Sequence, residues 1–166
     1  SLLSPEQTRF HFLSGFTAKM GGTELGITSA QPTFSACFGE AFLPKHPYIY
    51  AKMLAEKVEQ YNSNVWLVNT GWSGGQYGIG QRMSLNTTRS ILDSIHDGSL
   101  EKQEFETIPG FNLNVPKKCH DVDSNILNPI NTWKHKSVFN LMSKKLAGQF
   151  IDNFDKYVDG TPEHVI

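Results

Sequence analysis

The chain has 166 residues and a mass of 18.6 kDa, which suits one domain and not comfortably two. Its 15 Lys and Arg nearly cancel 16 Asp and Glu, leaving a formal charge of -1 and a pI near 6.6, so it lacks the basic balance of a nucleic-acid binder that works through counterion release. With 39% hydrophobic and 19% charged residues it is equipped to bury a core and is not intrinsically disordered, and it carries neither an apolar run of the roughly 18 residues that a membrane span needs nor a secretory leader pattern.

The opening reads as a helix. Ser4 is placed as N-cap, Pro5 as first helical residue, and Gln7 closes a capping box. Phe10, Leu13 and Phe16, with Phe12 beside them, form its apolar stripe, and Gly21-Gly22 is the expected stop. Because the chain starts Ser-Leu-Leu without Met, with the helix following at once, it reads as a piece of something longer. Residues 23–45 have no clean period and are punctuated by Gly26, Pro32, Gly39 and Pro44, with a short buried strand expected over 33–38. Lys19, near the C-terminal end of the first helix, has the usual place of a surface cation against the helix dipole, with Glu24 on the other side of the glycine pair.

Residues 46–61 predict a second helix, with Tyr50, Met53, Leu54, Val58 and Tyr61 inward. The continuous apolar run Val65-Trp66-Leu67-Val68 predicts a strand buried on both faces. It leads into residues 69–82, in which five of fourteen residues are glycine, and then into a helix capped by Asn86 or Thr87. Ile91, Leu92 and Ile95 are expected inward there, and Gly98 stops the helix. Short strands are expected at 105–108 and 111–115, then a Pro/Asn-rich stretch over 116–131. A long helix over 137–157 follows, with an apolar face of Val138, Leu141, Met142, Leu146, Phe150, Ile151 and Phe154, ended by Asp159-Gly160-Thr161-Pro162.

Strand, glycine loop and helix is the arrangement richest in chemistry. Gly75 to Gly80 has the spacing of a phosphate-cradling loop, whose backbone N–H groups must converge without an obstructing Cβ. The lysine and hydroxyl residue that should follow are Gln81 and Arg82, so the motif fails as a P-loop. A ligand-free glycine hairpin and a nucleotide-side loop both remain open on spacing alone. Arg82 at the loop exit favours the latter, because a planar guanidinium stacks on a purine or pairs with phosphate. Asn86, Thr87 and Thr88 at the next helix start add polar groups for a sugar or base. Asp121 to Asn125 imitates the start of a calcium loop but has Ile126 and Thr132 where Gly and Glu are required, and it reads as a solvated turn. The histidines at 11, 46, 96, 120, 135 and 164 show no metal-ligand spacing. Cys37 and Cys119 read as reduced, packed thiols of an intracellular protein.

Several segments, in order and nearly end to end, resemble the C-terminal part of ATP-dependent phosphoenolpyruvate carboxykinases. They are residues 11–19, Gly22-Thr23-Glu24, residues 32–39, Asn69-Thr70-Gly71-Trp72 with Arg82, Thr88-Arg89, Gly98-Ser99-Leu100, Phe111-Asn112-Leu113, Leu127-Asn128-Pro129 and residues 150–154. The resemblance implies a mixed α/β fold, part of a C-terminal mononucleotide-binding domain with a mixed sheet flanked by helices. Residues 1–166 would be the C-terminal portion of that domain, without the N-terminal domain and the P-loop region. It implies a cytoplasmic enzyme of gluconeogenesis that converts oxaloacetate and ATP to phosphoenolpyruvate, ADP and CO2, using Mg2+ and Mn2+ whose ligands lie outside this chain. The family's phosphate loop, manganese ligands and oxaloacetate-binding residues are placed upstream of the matched part, so no catalytic residue is carried over, the 75–80 loop is not the phosphate cradle, and the chain alone is expected to be inert.

Three residues are carried over to the adenine side of the nucleotide pocket. Arg82 would pack its guanidinium on the purine, Met83 would offer backbone or apolar contact, and Thr88 would hydrogen-bond near base or ribose. The loop over 73–81 is longer than in some members. A second expectation, from another class, is a non-enzymatic nucleotide-binding or interaction module. Large apolar patches are expected on the chain by itself.

Overall fold

A computed structural model describes residues 1–19, 31–75 and 78–160. The expected Gly21-Gly22 stop, Glu24, Gly26 and the sequence after 160 lie outside the described residues. The architecture is mixed α/β, as expected. The chain divides into two compact units, one formed by 1–2 and 66–144, the other by 3–65 and 145–166.

The first unit is built on short strands. These are β1 (Leu2–Leu3), β4 (Val65–Trp66), β7 (Phe105–Ile108) and β8 (Leu113–Pro116), in the order β4-β1-β8-β7, with β8 antiparallel to both β1 and β7. The run 65–68 is therefore a two-residue edge strand rather than one buried on both faces, and Val68 is exposed. Helix α3 (Leu85–His96) is followed by Gly98 at φ 72°, the expected stop. It turns Ser94 to the interior with Ile91 and Ile95 half-buried and Leu92 exposed. Leu100, Ile108, Val115 and Cys119 complete this core. Two short helical turns, α4 (Ser124–Leu127) and α5 (Pro129–Thr132), occupy the Pro/Asn-rich stretch. Asp121 adopts φ 55° and Asp123 caps α4, so the apparent calcium motif is the turn that its composition suggested.

In the second unit α1 (Pro5–Ser14) carries the expected capping box, the Ser4 hydroxyl accepting from the Gln7 amide at 3.2 Å and the Gln7 side chain accepting from the Ser4 amide at 3.0 Å. The helix ends earlier than its apolar stripe suggests, at Gly15 in the left-handed region (φ 53°). A Cβ there would drive into the Ser35 carbonyl, so only glycine fits. The chain then turns into β2 (Phe16–Lys19), antiparallel to β3 (Gln31–Phe34), and the strand expected over 33–38 gives way after Phe34 to a 3-10 turn. The turn moves Phe16 from the helix to a strand, where it meets Phe34 and Phe150 at 5.4 and 5.1 Å between ring centroids.

Helix α2 (Pro47–Gln60) is capped by His46, whose Nδ1 accepts from Tyr48 N–H. Its buried residues are Ala51 and Ala55, whereas Met53 and Tyr61, expected inward, are exposed. Two alanines one turn apart let the helix approach α1 closely, which a Met and Tyr stripe would prevent. Helix α6 (Lys136–Phe154) is buried through Phe150, Asn153 and Phe154, with Tyr157 just beyond it, but not along Val138, Leu141, Met142 or Ile151, which are exposed. It closes as a 3-10 turn, Asp155–Gly160. Phe42 and Leu141 are 87% and 68% exposed. Among the described residues no helix is long and apolar enough to cross a membrane. Both cysteines are free.

Gly15→Ala is expected to lower stability by about 3 kcal/mol or more, since the left-handed backbone and the Ser35 carbonyl act together; an unchanged urea midpoint would refute this. His11 packs against the rings of Phe10 and Phe150, and burial lowers its pKa below the usual 6.5. The unfolded chain thus binds a proton that the folded one resists, so this contribution to stability is whole above pH 6.5 and is lost as pH falls through the lowered value. His11→Gln should flatten that part of the stability–pH profile.

Candidate functional site

The glycine-rich segment forms a hairpin of β5 (Trp72–Ser73) and β6 (Gln81–Arg82), with Trp72 opposite Arg82 and Ser73 opposite Gln81. The amide of Met83 donates to the Gly71 carbonyl at 2.9 Å and extends the pairing by one bond. At the turn, Gly74 adopts φ 80°, and a Cβ on it would stand 3.0 Å from the Thr132 carbonyl oxygen. The carbonyl oxygens of Ser73 and Gly75 press against Gly80, so no side chain fits there. The described part of this turn is filled by its own backbone.

Arg82 is exposed, and among the described residues its guanidinium has no hydrogen-bond or ion-pair partner. Met83 is half-buried and leads into Ser84. Ser84, not Asn86 or Thr87, is the N-cap of α3, its hydroxyl accepting from the Thr87 amide at 3.1 Å. The local reason is that Ser84 has the extended backbone of a cap (φ -70°, ψ 153°), while Asn86 and Thr87 already lie within the first turn. Thr88 is half-buried one turn on, and its hydroxyl donates to the Ser84 carbonyl at 3.1 Å. With its single proton engaged, that hydroxyl offers an incoming group lone pairs only.

The three sequence-selected residues thus lie along one continuous path of strand, strand exit and first helical turn, linked through Ser84. Flanking Arg82 in the chain, Ile79 and Leu85 are 73% and 72% exposed. A flat cation with apolar side chains on either side of it in sequence suits the face of an aromatic ring better than an isolated anion. Among the described residues no three His, Cys, Asp or Glu side chains converge on a position where a metal ion could sit.

Sequence reasoning missed the partners that hold this hairpin. The Ser73 hydroxyl donates to the Thr132 hydroxyl at 2.9 Å across 59 residues of chain. Neither residue has a local pattern that would have marked it; the only signal was that Leu127-Asn128-Pro129 just upstream belonged to the resemblance without a role.

Ser84→Ala should weaken the start of α3 by about 1 kcal/mol. The check is hydrogen exchange at the Thr87 amide, expected to accelerate about fivefold, while no change would show that the cap is dispensable.

A family model described as phosphoenolpyruvate carboxykinase matches residues 1–125. The phosphoenolpyruvate carboxykinase (ATP) of Campylobacter lari is 56% identical over 159 residues, covering 96% of this chain and 30% of that protein. The protein of the same name from Caldanaerobacter subterraneus is 53% identical over 161 residues, 97% of this chain and 31% of the relative. That from Candida glabrata is 51% identical over 168 residues, the whole of this chain and 31% of the relative. The chain therefore spans about 30% of the length of these relatives. With more than half of its sequence under one family model and bacterial and yeast relatives above half identity, it belongs to the phosphoenolpyruvate carboxykinase family.

Proposed function

We propose that this chain is the C-terminal portion of the nucleotide-binding domain of an ATP-dependent phosphoenolpyruvate carboxykinase. The observation that carries the reading is its 51–56% identity, over nearly all of its length, to proteins named phosphoenolpyruvate carboxykinase (ATP). Those names favour an enzyme over a non-enzymatic nucleotide-binding module. In the proposed reaction oxaloacetate loses CO2, leaving an enolate of pyruvate. The enolate oxygen then takes the γ-phosphoryl group of ATP, giving phosphoenolpyruvate and ADP. We place this step in the cytoplasm, in gluconeogenesis.

The proposed share of this chain is the adenine end of ATP. The guanidinium of Arg82, exposed on the hairpin, packs on the purine. Met83, whose amide is engaged with Gly71, contributes its side chain and carbonyl. Thr88, whose hydroxyl proton is engaged with Ser84, accepts from the exocyclic amine of adenine or from a ribose hydroxyl. Such contacts are the same in the ground and transition states, so they serve binding of the nucleotide rather than the chemical step. The described residues supply no ligand set for Mg2+ or Mn2+, and no step is assigned to a metal here.

A steady-state assay with oxaloacetate, ATP, Mg2+ and Mn2+ tests both halves of the reading. The full-length enzyme should turn over and the 166-residue chain alone should not. In the full-length enzyme Arg82→Ala should raise the KM for ATP about 5- to 30-fold, as lost stacking of a cation on an aromatic ring implies, with kcat nearly unchanged. Turnover by the short chain, or an unaltered KM in the variant, would refute the corresponding half.

A further inference from the structure

Among the described residues the hairpin that presents Arg82 has two paired positions on each strand and one further bond from Met83 to Gly71, and an isolated hairpin is marginal in water even when longer. Its position must therefore come from outside. Thr132 meets it at two consecutive residues, accepting the Ser73 hydroxyl proton at 2.9 Å and standing with its carbonyl against Gly74. The Thr132 hydroxyl donates its own proton to the Pro129 carbonyl at 2.9 Å. It is thus oriented as an acceptor toward Ser73 and has no freedom to reverse.

The turn that carries Thr132 is itself anchored at both ends. At its start the buried Asn128 donates from its side-chain amide to Glu106 on β7 at 2.8 Å and accepts from the Ile130 amide at 3.4 Å. At its far end Trp133 packs edge-on against Phe139 of α6, with ring centroids 5.6 Å apart. A continuous path of hydrogen bonds and backbone therefore runs from the sheet through Asn128, Pro129 and Thr132 to Ser73. Ser73 pairs with Gln81, the residue before Arg82.

We infer that Thr132 is a positioning residue for the nucleotide, holding the hairpin so that Arg82 meets the purine without first having to be ordered. This rests on the proposal that Arg82 packs on adenine. An unbuttressed hairpin would sample other positions, and the apparent affinity would fall by the fraction of molecules that remain competent. The consequence falls on nucleotide binding, not on the reacting atoms, so KM for ATP should change while kcat and KM for oxaloacetate should not.

The test uses the full-length enzyme. Thr132→Val keeps the shape and removes the hydroxyl with both of its hydrogen bonds, of which the one from Ser73 reaches the hairpin, and loss of that bond predicts a rise in KM for ATP of about 3- to 10-fold. Thr132→Ser should restore the wild-type value to within about twofold, and Ser73→Ala should reproduce the valine effect and stands in if that variant does not fold. In an Arg82→Ala background Thr132→Val should add less than about twofold, because the group it positions is gone. The inference is overturned if Thr132→Val and Ser73→Ala leave KM for ATP unchanged while Arg82→Ala raises it, or if the full effect of Thr132→Val persists without Arg82. If Arg82→Ala itself has no effect on KM, the adenine reading fails, and that outcome is distinct from the other two.

Discussion

The two hydroxyls of Ser73 and Thr132 carry a constraint on which the placement of the hairpin bearing Arg82 depends. An isolated hairpin is marginal in water, and this one, with two paired positions among the described residues, is tied to a contact made 59 residues away. The direction of the relay matters as much as its length. Thr132 donates to a carbonyl and can only accept from Ser73, so a single orientation satisfies both groups. Glycine at position 74 makes the contact close enough to form, since a Cβ would stand at 3.0 Å from the Thr132 carbonyl oxygen.

A comparable division between local rule and distant contact organises the second unit. The capping box starts α1 from four consecutive residues, but the end of the helix is set by Gly15 lying against the Ser35 carbonyl. Once the chain turns there, Phe16 joins Phe34 and Phe150 from a strand, and Phe10 reaches Phe150 and Phe154 from the helix. The core therefore mixes rings from α1, the β2–β3 pair and the C-terminal half of α6, while Val138, Leu141 and Met142 of α6 are exposed.

Family membership and geometry bear on function at different points. Identity above one half with bacterial and yeast phosphoenolpyruvate carboxykinases carries the proposed reaction class. The geometry bears on the part of the nucleotide that this chain would hold. A guanidinium unpaired among the described residues, a half-buried methionine and a threonine restricted to accepting hydrogen bonds suit a flat, amine-bearing ring.

What the sequence alone determined was whatever depends on neighbours in the chain. The capping box of α1, the bounds of α2, the strands near 105–108 and 113–116, the Gly98 stop, the failed P-loop and the solvated Asp121–Asn125 turn are all settled within a few residues. Arg82 and Thr88 stood out from the sequence as a cation at the exit of the glycine loop and a hydroxyl at the next helix start, whereas Met83 entered only through resemblance. Burial was legible least. Ala51 and Ala55 displaced Met53 and Tyr61 from the core because the approach of a second helix rewards small residues, and hydrophobic periodicity counts the large ones. Only the tertiary structure decided that the 65–68 run is an edge, that α1 stops at Gly15, that Ser84 caps α3, and that Thr132 holds the hairpin. With the exception of the Ser84 cap, which turns on the local backbone angles, each of these depends on a group far away in sequence that occupies a position no local pattern encodes.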